Sequence, residues 1–209
     1  MNQVIFLLQL TQLLSADLFT KLQQTDARLL SFITHHRVNS LDPFFIQLTD
    51  VATLVTYSIP VILLIYAYAK QLVVLQRKSW LVLIALTINS AIVDTLKKVI
   101  HRPRPFVTYS DIHNLVPVTS FSFPSGHTAE VTLLAISISI LFPKQKWAIV
   151  LTWLWALVIS YSRMDLGVHY PSDVLGAMAN SMLVAFTFIK LMLRLDFLRS
   201  EKQNQLERQ

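Results

Sequence analysis

Three short stretches of this chain carry residue types suited to chemistry on a phosphoryl group. The first holds Lys97 and Arg104, with Pro105 after it; the second is Pro124-Ser125-Gly126-His127; the third holds Ser162-Arg163, then His169 and Asp173. Three fixed cations, Lys97, Arg104 and Arg163, match a group with two or more negative charges, and guanidinium forks meet phosphate oxygens in bidentate fashion. Ser125 and Gly126 at a helix start offer unpaired backbone N–H groups and a positive dipole end, which together form an anion cradle. Gly126 also lets the backbone approach a phosphate closely. The chain has only three glycines, Gly126, Gly167 and Gly176, and two of them fall in these stretches. Two histidines, His127 and His169, can divide nucleophile and acid roles near neutral pH. Asp173, four residues after His169, can fix the imidazole tautomer and raise its basicity, as in a triad.

The elements that must position these residues are membrane spans. Of 209 residues, 54% are hydrophobic and 14% charged, and the mean hydropathy is +0.52. Soluble proteins carry roughly 25% charged residues, so disorder, a collagen-like fibre and a disulfide scaffold are excluded. There is no cysteine, hence no thiolate nucleophile and no cysteine metal site. A spanning helix needs about 20 mostly apolar residues. The stretches Val51 to Ala69, Trp80 to Ile100, Ser125 to Phe142, Trp147 to Ser162 and Val174 to Leu193 meet or approach that requirement. The expected fold is therefore all-α, an integral membrane bundle of five or six transmembrane helices. Residues 51–193 form the core and 194–209 a polar cytoplasmic tail. Residues 1–50 form an amphipathic N-terminal region, in which Val4 to Leu14 reads as interfacial or as a sixth span. Thr25 to Leu48 also reads as interfacial, with a break at Asp42-Pro43.

Charge sets the orientation. The net charge is +6 and the pI near 9.7, but the basic residues lie between apolar runs, which points to membrane orientation and anionic head groups rather than nucleic acid. Lys70, Arg77 and Lys78, then Lys144 and Lys146, then Arg194, Arg199, Lys202 and Arg208 share one face by alternation of spans. The positive-inside rule makes that face cytoplasmic. All three phosphoryl-suited stretches then fall together on the opposite, extracytoplasmic face. His101, Arg102 and Arg104 are basic on the wrong side, which argues for function there.

The ordered set of motifs resembles the signature of the type 2 phosphatidic acid phosphatase family of membrane phosphatases: lysine, six residues, Arg-Pro; then Pro-Ser-Gly-His; then Ser-Arg, five residues, His, three residues, Asp. Spacing chooses among the cations: Lys98 would need arginine where Pro105 stands, and Arg102-Pro103 would need lysine where Thr95 stands. Only Lys97 with Arg104 fits. The resemblance implies that His169 attacks phosphorus, Asp173 orients it, and His127 protonates the leaving oxygen and then activates water. It also implies that Lys97, Arg104, Arg163, Ser125 and the Gly126 N–H hold the phosphoryl oxygens. No cofactor and no metal are expected, because the cations do the work of a divalent ion and no dense carboxylate cluster accompanies the motifs.

The expected activity is hydrolysis of a lipid phosphate or diphosphate, with undecaprenyl diphosphate first and phosphatidylglycerol phosphate, phosphatidate and lipid A as rivals. Membrane lipids and a lipid phosphate substrate are the expected partners; the motifs do not set the oligomeric state. A lipid phosphotransferase and a non-catalytic lipid-binding scaffold are the competing readings. Blander roles attach to the neighbours. Asp94 pairs locally with Lys97, Asp165 is a turn residue, Glu130 faces the site cavity or water, and His35-His36 form a solvated patch. Small residues Gly176, Ala177, Ala179 and Ser181 let the last span pack closely.

Overall fold

A helix that is apolar on nearly every side suits either a bundle core or a lipid-facing span, and the segment after His127 is such a helix. In the computed structural model, which describes residues 20–192 and Arg194, this helix (α5, Gly126–Leu141) is the centre of the bundle. Its buried residues run from Thr128 to Leu141 and include Val131, Leu133, Leu134 and Ile138. Around it pack α2 (Asp42–Ala69), α3 (Val73–Ile100), α6 (Lys146–Asp165) and α7 (Pro171–Val184), the last continuing through a π-helical turn at Ala185–Ile189. A first helix, α1 (residues 20–35), a 3-10 turn at Asn39–Leu41 and a short helix, α4 (Pro105–Thr108), complete the described elements.

The outer helices are long and apolar enough to cross a bilayer, and α5 is a shorter apolar helix, giving an all-α membrane bundle. Its outer surface is apolar too: Leu54, Ile62 and Ile65 on α2 and Leu151, Leu154 and Leu157 on α6 are exposed, as suits a face solvated by lipid. Trp147 projects outward, the place of an interfacial anchor. Inside, hydrogen bonds join the helices. Asn89 of α3 donates to the Ala129 carbonyl of α5 at 3.1 Å and to Ser181 of α7 at 3.3 Å, and Ser181 also donates to that carbonyl at 2.7 Å. The Lys78 ammonium donates to the Leu141 carbonyl at 2.6 Å, satisfying the C-terminal end of α5.

The sequence expectation differs from the structure at the N-terminal side. Asp42-Pro43 does not break an interfacial helix; it starts α2, which runs on from there rather than beginning at Val51. Proline at the first helical turn costs no hydrogen bond, so the pair is a start signal. Earlier in the stretch read as interfacial the chain forms α1, a two-sided helix. Asp26, Ala27 and Leu30 are buried on its inner side, while Leu22, Leu29 and Phe32 are exposed. His35 and His36 fold back onto the Ser31 and Phe32 carbonyls at 2.8 Å each. The segment before residue 20 and the tail beyond Arg194 lie outside the described residues.

Candidate active site

Four chain segments meet at one end of the bundle: the exit of α3, the start of α5, the end of α6 and the start of α7. Pro171 at the first turn of α7 fixes where that helix begins. The preceding loop turns at Gly167, whose φ is +72°; a Cβ there would stand 2.5 Å from the His113 carbonyl oxygen. His169 and Asp173 are thereby held one turn apart at the head of α7.

His169 is 2% exposed. Its Nδ1 lies 3.3 Å from Asp173 Oδ2, and its Nε2 lies 3.1 Å from Arg104 Nη1. A guanidinium can only donate and a carboxylate can only accept. Nδ1 therefore carries the proton and Nε2 presents its lone pair. Burial, with Arg104 and Arg163 nearby, outweighs Asp173 and pushes the imidazole down to about 3. Near neutral pH the ring is uncharged and its free lone pair points at the cations.

Asp173 is fully buried and saturated. Its Oδ2 accepts from Ser122 Oγ and from the Tyr170 backbone N–H at 2.9 Å, besides His169. Its Oδ1 accepts from Arg102 Nη1 at 2.6 Å. Arg102 reaches on through Nη2 to Asp26 Oδ2, also at 2.6 Å. Asp26 accepts in turn from the Ser172 N–H at 2.9 Å and from Ser172 Oγ. A carboxylate of α1 is thus tied to the head of α7.

The predicted cations are all present at this end. Arg104 is buried, with Nε on the Ser120 carbonyl and Nη1 on the Val168 carbonyl, both at 2.8 Å. Arg163 is buried and donates to Thr49 Oγ1 at 2.5 Å, while its Nε has no partner among the described residues. Lys97 donates to Ser120 Oγ at 3.4 Å and the Phe121 carbonyl at 3.3 Å. His127 lies within the field of Lys97, Arg104 and Arg163. Ser125 caps α5, its N–H donating to the Asp173 carbonyl at 3.1 Å, and its buried hydroxyl has no partner among the described residues. A Cβ built on Gly126 would meet nothing within 4 Å, so the backbone there faces open space. Guanidinium, ammonium and backbone N–H groups around a neutral imidazole can hold a tetrahedral anion beside a nucleophile.

Several neighbours behave otherwise than the sequence suggests. Glu130 turns toward α2 and α3, accepting from Thr53 Oγ1 at 2.7 Å and Ser90 Oγ at 3.4 Å. Asp94 is exposed, and the hydrogen bonds of Lys97 go to the loop instead. Asp165 is the last residue of α6 and is buried. Gly176 makes room for the Phe123 ring rather than for a neighbouring helix. Sequence reasoning passed over Ser122, Asp26 and Thr49, and marked Arg102 for function by its charge without finding its role. Ser122 and Arg102 lie inside the motif region but off its pattern; Asp26 and Thr49 reach the site only through folding, so no spacing rule could find them.

Comparison with known proteins yields consistent matches. The family model of the PAP2 superfamily matches residues 78–196. The chain is 32% identical over 163 residues to an undecaprenyl-diphosphatase of Bacillus subtilis, covering 76% of this chain and 78% of the relative. It is 38% identical over 104 residues to a lipid A 4'-phosphatase of Bacteroides thetaiotaomicron, 46% of each chain. The crystal structure of LpxE from Aquifex aeolicus superposes with a TM-score of 0.66 at 26% identity, covering 78% of this chain and 93% of that one.

Proposed function

The chain belongs to the PAP2 superfamily and is a membrane lipid phosphatase, and from that premise we propose that it hydrolyses undecaprenyl diphosphate through a phosphohistidine on His169, at the extracytoplasmic membrane face. The observation that carries the chemistry is the paired restraint of His169: Asp173 holds the proton on Nδ1 while Arg104 faces Nε2. The incoming phosphoryl group takes the guanidinium over from Nε2, so the cation that marks the nucleophile also receives the anion.

In the first step Nε2 forms a bond to phosphorus as the bond from phosphorus to the leaving oxygen breaks. With the phosphoryl anion bound among Lys97, Arg104 and Arg163 and offsetting their field, His127 holds a proton and gives it to that oxygen. In the second step water attacks phosphorus, His127 takes the water proton, and the N–P bond breaks to release inorganic phosphate and regenerate Nε2. Lys97, Arg104 and Arg163 carry the charge that builds on the equatorial oxygens, with Ser125 and the Gly126 N–H at the start of α5. Asp173 stabilises the positive charge that the ring acquires on attack.

The substrate assignment is supported by the similarity to an undecaprenyl-diphosphatase, of which the chain covers 78%. The apolar flanks of the bundle suit a lipid whose phosphate enters from the side. Side-by-side assays with undecaprenyl diphosphate, phosphatidylglycerol phosphate, phosphatidate and lipid A decide it. The expected order puts undecaprenyl diphosphate first in kcat/KM; a clear preference for another of these lipids overturns the substrate while leaving the mechanism intact.

A further inference from the structure

We propose that Asp26 and Arg102 are positioning residues of the hydrolysis: Asp26 draws part of the Arg102 charge away from Asp173, so that Asp173 can stabilise the cationic ring of His169. This rests on the phosphohistidine reading. Arg102 lies between two carboxylates, 2.6 Å from each. Its plane is fixed by Tyr170, whose ring centre lies 3.9 Å from the guanidinium carbon, and by Ser172 Oγ at 2.6 Å.

The charge balance gives the arrangement its purpose. A lone arginine on Asp173 would neutralise the carboxylate that His169 needs as positive charge builds on its ring. With Asp26 on the other fork, the cluster of two carboxylates and one guanidinium keeps a net negative charge beside the imidazole. Its carboxylates are shielded from water: Asp26 is 7% exposed and Asp173 is fully buried, while the Arg102 side chain is 18% exposed. Charge differences act strongly at low dielectric. Arg104 on the far side of the ring, with Arg163 also acting on it, opposes its becoming positive, so the negative charge on the Asp173 side has much to offset. The bond from Asp26 to the Ser172 N–H also holds the head of α7, placing the regulating charge on an element that precedes the motif region in sequence.

A double-mutant cycle separates this role from simple docking of α1. In full-length protein in detergent, Asp26→Asn is expected to lower kcat about tenfold to hundredfold, the range for residues that support a reactive group, with KM within about threefold. In an Asp173→Asn background, measured with radiolabelled lipid, the same substitution is expected to cost less than about twofold, because its route to His169 is gone. Arg102→Lys, which keeps a charge but cannot fork to both carboxylates, should show a similar loss and the same dependence on Asp173. It carries the cycle alone if Asp26→Asn fails to fold. Equal losses in both backgrounds, an effect confined to KM, or a drop in thermal stability without loss of kcat overturns the proposal. An Asp173→Asn single variant with wild-type kcat would instead sink the phosphohistidine reading itself.

Discussion

His169 has both ring nitrogens committed to partners that cannot exchange roles: Asp173 accepts and Arg104 donates. Nitrogen-15 NMR of imidazole-labelled protein at pH 6 should therefore show the His169 ring neutral with its proton on Nδ1, where an ordinary histidine is mostly charged. A charged ring, or the other tautomer, contradicts the assignment. The unfolded chain takes this proton near 6.5, whereas the folded chain refuses it until about 3. The folded state accordingly loses stability as pH falls through that window and gains none from it above. At His127 the separation of roles is testable. His127→Ala is expected to form phosphoenzyme from a substrate with a good leaving group and to stall on the lipid; equal loss on both substrates would refute a general-acid role. Gly167 is a matter of backbone alone: Gly167→Ala should destabilise by about 1–3 kcal/mol, through positive φ and collision with His113, visible as a lower melting temperature. At this scale the motif residues could be read from the sequence because chemistry fixes their type and spacing. Ser122 and the role of Arg102 could not, because a serine or arginine that serves a carboxylate has no fixed offset from it.

Among elements, the buried amides do what hydrophobic contact cannot do in lipid. Asn89 joins α3, α5 and α7 through the Ala129 carbonyl, Ser181 and Asn180, whose amide donates to Asn89 Oδ1 at 2.8 Å. Asn89→Leu keeps the volume but leaves these partners unmatched, and should cost about 1–2 kcal/mol, measured by thermal unfolding in detergent. No change would mean that the helices are held by packing alone. The spans themselves were legible from apolar runs, but the central place of α5 was not, because an all-apolar helix suits a lipid-facing span as well as a bundle core. The start of α2 was not: Asp42-Pro43 carries the same signal whether it ends one helix or opens another, and only the helix that follows decides. Nor could the docking of α1 be read, since Asp26 looks like any polar residue of an amphipathic helix until Arg102 and Ser172 are brought beside it.

For the whole molecule, we propose from the alternating spans and basic loops that the site end lies outside the cytoplasm. The absence of cysteine makes this easy to check. Thr119→Cys, in the exposed loop at the site end, should react with a membrane-impermeant maleimide in intact cells. Gln145→Cys, exposed at the opposite end, should react only after permeabilisation. The reverse pattern would place catalysis on the cytoplasmic side. Sequence brought the motifs to one end because their order along successive spans leaves no other arrangement, but the lipid is not written in residues that read only a phosphoryl group. The central claim is that histidine and fixed cations perform the hydrolysis, and it is tested most directly by phosphate release from undecaprenyl diphosphate in EDTA, wild type against His169→Ala. The account predicts release that survives EDTA and falls by about 10⁴-fold or more in the variant, as for loss of a catalytic nucleophile. Release that vanishes with EDTA, or persists in His169→Ala, would contradict it.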